Sequence, residues 1–395
     1  MAENKQNKRP NVPPLRFPEF TDEWKRCKVG DDCDIYMCKR IFADQTNDSI
    51  GVPFYKIGTI GGEPDAYISR DLFKQYKKKY NYPQKGEVMI TCAGTVGKAI
   101  VFDGKDSYFQ DSNIVWISNT TSYLSNDYIY YFINRVDWSK LNSTTITRIY
   151  NDDLRKLKIA FPSIDEQKKI VQLLYSLDRR IAVQSKLIEQ LESLMGGIMV
   201  AHYNNCEKQV VQIKELGDNF TVMNLSKDNL TDEGNDCVLY GELFTTYHCT
   251  ISEIKSKTNL TTGLTFSQSN DLLFPSSTTV DAVSLIAPSA ITVPNVVLGG
   301  DMFGLHINER YSNVYLAFLF NYILKQRLAK YAQGSTIIHL HFNDICNTKI
   351  EVPNLTDQLT FVELSSKVQQ KIATEISMLA NLQALKSYLL QQMFI

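Results

Sequence analysis

A long heptad pattern occurs twice in this sequence of 395 residues, and no other feature constrains its fold more strongly. In each copy, apolar residues recur at alternating steps of four and three, which is the a/d seam of a coiled coil. The first seam consists of Ile170, Leu174, Leu177, Ile181, Ile188, Leu191, Met195 and Ile198. The second follows at one constant separation and consists of Phe361, Val368, Ile372, Leu379, Leu382 and Leu389. Because an apolar seam of this length needs a second helix to cover it, the two copies are predicted to pair.

A polar residue interrupts both seams at the same position, Gln184 in the first copy and Glu375 in the second. Gln184 lies midway between Ile170 and Ile198. If the two helices pack antiparallel and centred, Gln184 therefore faces Glu375, and such a buried polar layer fixes register and orientation. The alternative is that each heptad covers only the core of its own domain, as most amphipathic helices do.

Sequence signals for a helix start precede both seams. Ser163 is followed three residues later by Glu166, which is the pattern of a capping box, and Asn354 and Asp357 stand at the equivalent positions of the second copy. Both seams are therefore predicted to begin their helices at well-defined points.

The composition is that of an ordinary globular protein. Hydrophobic residues make up 44% of the chain, enough for the cores of two or more domains, and the formal net charge is −1. This balance argues against binding nucleic acid by bulk charge, so any such contact must use local patches. The eight cysteines form no CxxC pair, and no signal peptide or long apolar span is present. We therefore expect reduced thiols in the cytoplasm, no metal and no membrane partner.

The regions between the two seams repeat one plan. Short β-branched and aromatic runs bounded by Gly, Asn and Asp predict strand-rich domains, and Gly30 and Tyr128–Asn134 of the first recur as Gly217 and Tyr315–Asn321 of the second. Two tandem copies of a domain plus a long helix are therefore predicted. The predicted segments are a flexible arm at 1–20, a first domain at 21–161, a spacer helix at 162–203, a second domain at 204–352 and a C-terminal helix at 353–395.

No signature of catalysis stands out. The Gly94–Lys98 segment resembles a phosphate loop but lacks the spacing of a Walker A motif, and GxSxG, HExxH and Asn/Asp-Pro-Pro-aromatic motifs are absent from the sequence. His339 and His341 could ligate a metal, yet no third ligand is apparent nearby. We expect no catalytic residue, no metal and no cofactor.

Three kinds of segment are candidates for contact with DNA. The first is a basic patch with interleaved tyrosines, the second a turn rich in Gly and hydroxyl side chains after a strand, and the third a polar loop; the last two occur in both halves. The candidate residues are Lys77, Lys78, Lys79, Thr91, Thr95, Lys98, Thr145, Arg148, Ser276, Ser277, Thr278, Ser335, Thr336 and His339. A solvated lysine-rich loop and purely structural turns are the competing interpretations.

Several motifs together carry a family likeness. The most specific is Pro-x-x-x-Glu-Gln at the start of the first helix, within Phe161–Ile170, and the others are Leu15–Phe20 with Trp24, Gly86–Ile90 with Gly94–Lys98, Leu298–Asp301 and Leu389–Ile395. Over nearly its whole length the chain resembles the DNA specificity subunit of type I restriction-modification systems. It departs from the pattern at Thr356-Asp357-Gln358 and at Gly196 and Gly197, which interrupt the end of the first helix.

The resemblance implies an α+β fold with two strand-rich target recognition domains, each followed by a long helix, the helices forming an antiparallel coiled coil with pseudo-twofold symmetry. It also implies a non-catalytic subunit whose two domains read the halves of a split site in double-stranded DNA. Two adenine-specific methyltransferase subunits and two restriction subunits, the latter carrying ATP-dependent translocase and nuclease activity, are the implied partners. Two rival hypotheses are a coiled-coil adaptor without sequence-specific DNA binding and a DNA-modifying enzyme with unrecognised catalytic residues.

Overall fold

The computed structural model describes residues 11–140, 148–222 and 225–395. The chain divides into two compact units: unit 1 comprises Met1–Ser185 and Met378–Ile395, and unit 2 comprises Lys186–Ser377. These bounds differ from the predicted segments because each long helix contributes one half to each unit.

Unit 1 is built from short strands in two four-stranded sheets and one strand pair. The strands are β1 Lys25–Lys28, β2 Cys33–Met37, β3 Thr46–Asn47, β4 Val52–Tyr55, β5 Tyr67–Ile68, β6 Val88–Thr91, β7 Ala99–Val101, β8 Tyr108–Phe109, β9 Ile114–Asn119 and β10 Lys158–Phe161. The first sheet has the order β2-β9-β6-β7 and the second β3-β5-β4-β8, while β1 pairs with β10. All pairs are antiparallel except β4 with β8.

Unit 2 repeats this arrangement with two five-stranded sheets and two strand pairs. Its strands are β11 Lys208–Gln212, β12 Gly217–Thr221, β13 Leu230–Thr231, β14 Asn235–Leu239, β15 Thr250–Ile251, β16 Ser256–Thr258, β17 Thr265–Phe266, β18 Asp271–Pro275, β19 Ser277–Thr278, β20 Ser289–Ile291, β21 Val297–Gly299, β22 Met302–Ile307, β23 Ile338–His339 and β24 Lys349–Pro353. The sheet orders are β12-β22-β18-β20-β15 and β13-β16-β14-β21-β17, with β11 paired to β24 and β19 to β23. Its first four strands in each sheet match the order in unit 1, which confirms the tandem repeat.

Helices connect these strands. In chain order they are α1 Val29–Asp32, α2 Arg70–Lys79, α3 Asn126–Arg135, α4 Asn151–Lys156, α5 Ile164–Asn205, α6 Glu242–Thr245, α7 Ala282–Leu285, α8 Asn313–Phe318, α9 Lys325–Leu328, α10 Phe342–Ile345 and α11 Leu355–Gln392. A π-helical segment, Leu319–Leu324, joins α8 to α9. Helix α5 has 42 residues and α11 has 38, so the prediction of two long helices is confirmed.

Helix α5 continues through the two glycines that were expected to interrupt it. Gly196 lies in its last quarter, and a side-chain carbon placed there would come within 3.1 Å of the Tyr322 ring. The glycine therefore leaves room for the ring to pack against the helix, while glycine in a helix interior costs about 1 kcal/mol relative to alanine.

A glutamine near the start of each long helix hydrogen-bonds to other segments of its unit. In unit 1, Gln167 accepts a hydrogen bond from the Ser125 amide at 2.9 Å and donates to the carbonyls of Tyr123 and Pro162 at 2.7 and 3.0 Å. In unit 2, Gln358 accepts from the Ser312 amide at 2.8 Å and donates to the Pro353 carbonyl at 2.8 Å. Both side chains are fully buried. The glutamine thus joins the end of a strand, the start of the long helix and the residue that caps α3 in unit 1 or α8 in unit 2.

The predicted capping box at α5 forms only in part. Ser163 accepts from the Glu166 amide at 3.5 Å, but the Glu166 carboxylate turns to Arg16, with two contacts of 2.7 Å, and to the Trp24 indole at 3.4 Å. This hydrogen bonding raises the pKa of Arg16. In the second copy, Asn354 and Asp357 cap α11 as predicted, since the Asp357 amide donates to the Asn354 side chain at 3.0 Å.

Residues 11–20 lie against unit 1 instead of extending from it as the flexible arm that the sequence predicted. The Leu15 amide donates to the Gln392 carbonyl at 2.9 Å, Glu19 forms an ion pair with Lys169, and Phe17 packs on the hydrophobic core. The motif at Leu15–Phe20 therefore anchors the N-terminal segment on both long helices.

Within each unit the two long helices run in opposite directions. The core of unit 1 combines Ile170 and Leu174, near the start of α5, with Leu389, near the end of α11. The core of unit 2 combines Met199, near the end of α5, with Phe361, near the start of α11. The prediction of antiparallel helices is confirmed. The same clusters contain strand and helix residues of the globular parts, so the ends of both seams also complete the domain cores.

Candidate nucleic-acid interface

Two of the predicted DNA-contacting loops meet in unit 1. The first follows β6 and turns back into β7, and the second precedes α4. The Ile149 amide donates to the Cys92 carbonyl at 2.9 Å and so joins them. Gly97, at φ +83°, lets the first loop pass directly over the Trp138 ring. Burial raises the pKa of the Cys92 thiol to about 12, so the thiol is uncharged at neutral pH.

The same junction recurs in unit 2. The Leu340 amide donates to the Ser276 carbonyl at 2.9 Å, and β19 and β23 pair so that Ser277 faces His339. Leu340 and Ile149 each directly precede the N-cap residue of the following helix, α10 or α4, and Ser276 and Cys92 each directly follow the equivalent strand, β18 or β6, so the positions correspond. The structure therefore brings together, in each unit, the two loops that the sequence proposed separately.

Three of the predicted contact residues are buried. Thr91 is fully buried, and its hydroxyl donates to the Thr95 carbonyl and accepts from the Lys98 amide, so it stabilises the turn. Ser276 and Ser277 are buried as well, because they sit in the strand that continues β18 and in β19. None of these three side chains reaches the surface of the loop, so the fold uses them internally, and their contact with DNA stays a prediction.

The other loop candidates reach the surface to different degrees. Thr95, Lys98, Ser335, Thr336 and His339 are exposed, and Arg148 and Thr278 are half-buried. Thr145 lies in 141–147, outside the described residues. The Lys98 ammonium donates to the Ile60 carbonyl at 2.6 Å, so part of its hydrogen-bonding capacity is used within the unit.

The basic patch lies on helix α2, whose start is capped by Ser69. Lys77 is held by an ion pair of 3.0 Å with Asp106 and lies over the Tyr82 ring at 4.7 Å, and Lys79 lies over the Tyr80 ring at 5.4 Å. Lys78 is exposed. The competing interpretation placed these lysines on a solvated loop, whereas the structure places them on a helix whose buried residue is Phe73. Its lysines project from a fixed surface, which suits phosphate contact.

The predicted coiled-coil residues are all buried or half-buried. Buried are Ile170, Leu174, Leu177, Gln184, Ile188 and Glu375, and half-buried are Ile181, Leu191, Val368, Ile372, Leu379 and Leu382. Glu375 forms an ion pair with Lys371 on its own helix. Gln184 belongs to unit 1 and Glu375 to unit 2, and their pairing stays a prediction.

The long helices also expose a duplicated set of leucines. Leu173 and Leu364 occupy equivalent positions of the repeat, as do Leu194 and Leu385, and all four are exposed. Unit 1 carries Leu173 and Leu385, while unit 2 carries Leu194 and Leu364. Each unit thus presents the same two leucines, one from each helix.

Histidine, cysteine and carboxylate side chains do not form a metal site in the ranges that the structure covers. Among residues 11–140, 148–222 and 225–395, no group of three or more such side chains could hold a metal ion. Within the same ranges, no helix has the length and apolarity to cross a membrane. All eight cysteines are free thiols.

Solved structures share this architecture. It is similar to the S subunit of a type I restriction-modification system from M. genitalium, with a TM-score of 0.57 and 15% identity over 97% of this chain and 99% of that chain. A second solved structure, from work on complex assembly and conformational transition of a type I system, gives a TM-score of 0.52 and 16% identity over 93% and 96%. The chain therefore has the two-unit α+β fold of type I specificity subunits.

Sequence comparison finds similar proteins over parts of the chain. Residues 21–193 match the type I restriction modification DNA specificity domain, in agreement with the resemblance seen in the sequence. A putative type I restriction enzyme specificity subunit of Haemophilus influenzae is 50% identical over 150 residues, which are 38% of this chain and 39% of that protein. The putative MjaX specificity subunit of Methanocaldococcus jannaschii is 22% identical over 207 residues, 49% of this chain and 48% of that protein. The matched segments thus span less than half of either relative.

Proposed function

We propose that the chain is the non-catalytic DNA specificity subunit of a type I restriction-modification complex, and that each unit reads one half of a bipartite site. The observation that carries this proposal is the loop junction that recurs in both units on the same backbone hydrogen bond. The junctions share a frame but differ in side chains, with Arg148 in one and His339 in the other. Two units that present different side chains to DNA suit a site whose two halves differ in sequence.

The long helices are proposed to set the gap between the half-sites. Helix α5 passes without a break from unit 1 into unit 2, and 42 residues correspond to roughly 60 Å at about 1.5 Å per residue. If the length of this helix sets the gap, the two half-sites must lie one defined distance apart. A flexible linker would allow several distances. The methylated motif should accordingly contain a gap of one defined length.

The exposed leucines are proposed to dock two methyltransferase subunits. Because each unit presents the same two leucines, one partner surface can bind twice, once on each unit. The support for this docking surface is that exposed leucines recur at equivalent positions of the repeat. In the proposed complex the partners supply adenine-specific methylation and, with two restriction subunits, ATP-dependent translocation and cleavage. The complex is proposed to act on double-stranded DNA in the cytoplasm, and this chain needs no cofactor of its own.

A deletion in α5 tests the proposed function. The chain would be expressed with its methyltransferase partner, and the methylated motif would be read by methylome sequencing. Deleting Ser185–Leu191, one heptad, should change the gap between the half-sites or abolish assembly, while replacing the exposed loop around Lys105 should leave the gap intact. An original motif with its original gap after the heptad deletion would contradict the spacer role. Absence of salt-sensitive duplex binding by the purified wild-type complex would contradict DNA recognition itself.

A further inference from the structure

In each unit a side chain lies against the ring of a nearby residue, a guanidinium over Tyr150 in unit 1 and one imidazole stacked on another in unit 2, and we call each of these contacts the stacked pair of its unit. In unit 1 the Arg148 guanidinium lies 5.8 Å from the centre of the Tyr150 ring. In unit 2 the rings of His339 and His341 are 6.1 Å apart with an interplanar angle of 14°. The two pairs are equivalent in the repeat, and in each the partners are two residues apart. The sequence had suggested Arg148 and His339 but not their partners Tyr150 and His341.

The same backbone arrangement positions both pairs. The residue between the partners, Ile149 or Leu340, is buried and donates its amide to the neighbouring loop. Because successive side chains of extended backbone point to opposite sides, its two neighbours project together, away from the core.

The second residue of each pair is also fixed by a carboxylate. The Tyr150 amide donates to Asp153 at 2.8 Å, and the His341 amide donates to Asp344 at 2.7 Å. These contacts start α4 and α10, and Asp153 and Asp344 are themselves equivalent positions. The pair is therefore presented by backbone that is anchored on both sides.

We propose that this stacked pair is the base-reading element of each unit, with Tyr150 and His341 as positioning residues for Arg148 and His339. The inference rests on the proposed function and adds the residues that set half-site preference. Stacking uses the flat face of a guanidinium or imidazole, whereas the recognition of a base uses its N–H edge. The ring at the second position can thus orient the first side chain without competing for its edge.

Packing alone does not account for the pairs. Tyr150 is 60% exposed, and His339 and His341 are exposed, so these side chains contribute little to a core that Ile149 and Leu340 already fill. Different chemistry at equivalent positions is expected if the two halves of the site differ. A guanidinium suits bidentate contact with guanine, and an imidazole makes a single contact.

The test compares methylomes and affinities of the complex formed with the methyltransferase partner. Tyr150→Ala should relax one base position in one half-site, and His341→Ala should relax one position in the other half-site, with the gap unchanged. In binding assays with duplexes that carry the wild-type motif or a single-base variant, discrimination at the affected position should fall about tenfold. Tyr150→Phe keeps the ring and should restore discrimination. Phe42→Ala is the matched control, since Phe42 is similarly exposed, at 58%, in the same unit.

The possible outcomes separate the two proposals. A wild-type complex with neither a methylated motif nor salt-sensitive duplex binding refutes the proposed function. A wild-type motif that persists unchanged in both alanine variants refutes the stacked pair alone. If Tyr150→Ala prevents assembly, Arg148→Lys is tested instead. This variant keeps the charge but removes the planar group, and it should reduce base discrimination in the same half-site. Loss of discrimination in both halves from either single variant would also overturn the inference.

Discussion

Replacing Arg16 by methionine should destabilise unit 1 far more than removing a second ion pair that anchors the same segment. Glu166 is 1% exposed, and Arg16 supplies two of its three side-chain contacts, both at 2.7 Å. Without Arg16 a buried carboxylate keeps only the long contact to Trp24. Leaving one partner of a buried pair uncompensated costs about 3–5 kcal/mol. Methionine retains most of the apolar part of the arginine side chain. The loss in the free energy of unfolding is therefore due to the missing charge and its hydrogen bonds.

The matched control is Glu19→Gln. Glu19 pairs with Lys169, which lies on the same helix as Glu166, but the side chains are 44% and 49% exposed, so solvent screens the pair and it contributes little to stability. The two substitutions thus remove ion pairs between the same two segments and differ mainly in burial.

Tryptophan fluorescence during urea unfolding measures unit 1 specifically. The three tryptophans of the chain, Trp24, Trp116 and Trp138, all belong to it. At a denaturant slope of roughly 2–3 kcal/mol per molar, the midpoint of Arg16→Met should fall by roughly 1–2 M and that of Glu19→Gln by less than about 0.5 M. Equal shifts for the two variants, or a loss below about 1 kcal/mol for Arg16→Met, would refute the argument from burial.

Two further predictions concern a loop and the helix surface. Gly97→Ala should cost unit 1 about 2 kcal/mol in the same urea assay, because the added carbon would come within 2.1 Å of a tryptophan ring at a positive φ; Gly58→Ala, with open space around it, should change stability by less than about 0.5 kcal/mol. Leu173→Glu and Leu364→Glu should each reduce the bound methyltransferase from two copies to one, as counted by native mass spectrometry. Val183→Glu, on an exposed residue without an apolar counterpart in the repeat, should leave both copies bound, and two copies on Leu173→Glu would contradict the proposed docking surface.

The long-range plan of the fold was predictable because a repeat is visible without knowledge of contacts. The heptad positions predicted two long helices, and their equal separation from one copy to the other predicted a partner for each. The order of strands in the sheets could not be derived, since runs as short as the two residues of β3 or β19 carry no periodicity of their own. Their pairing is decided by tertiary packing.

The role of single polar residues was harder to predict. The Glu166-Gln167 pair stood out as a motif, but its function depends on Arg16 and Ser125, which are distant in sequence. Thr91 looked like a donor for DNA because threonine on a glycine-rich turn suits that role, yet the turn uses its hydroxyl internally. The sequence shows which polar groups will need a hydrogen-bond partner if they are buried. Which partner each of them has depends on the fold.

The closure of unit 1 by the end of α11 has a consequence for the order of events during synthesis. Leu389, Leu390, Met393 and Phe394 belong to the core of unit 1, and Arg135 donates to the carbonyl of the final residue, Ile395, at 2.6 Å. Domains generally fold as units as they emerge from the ribosome, starting from the N-terminus. Here unit 1, most of which is translated first, lacks part of its core until Leu389–Phe394 have been made, whereas all of unit 2 is translated before them. A nascent chain that stops short of these residues would therefore contain a complete unit 2 and an incomplete unit 1, which exposes core residues to chaperones and proteases.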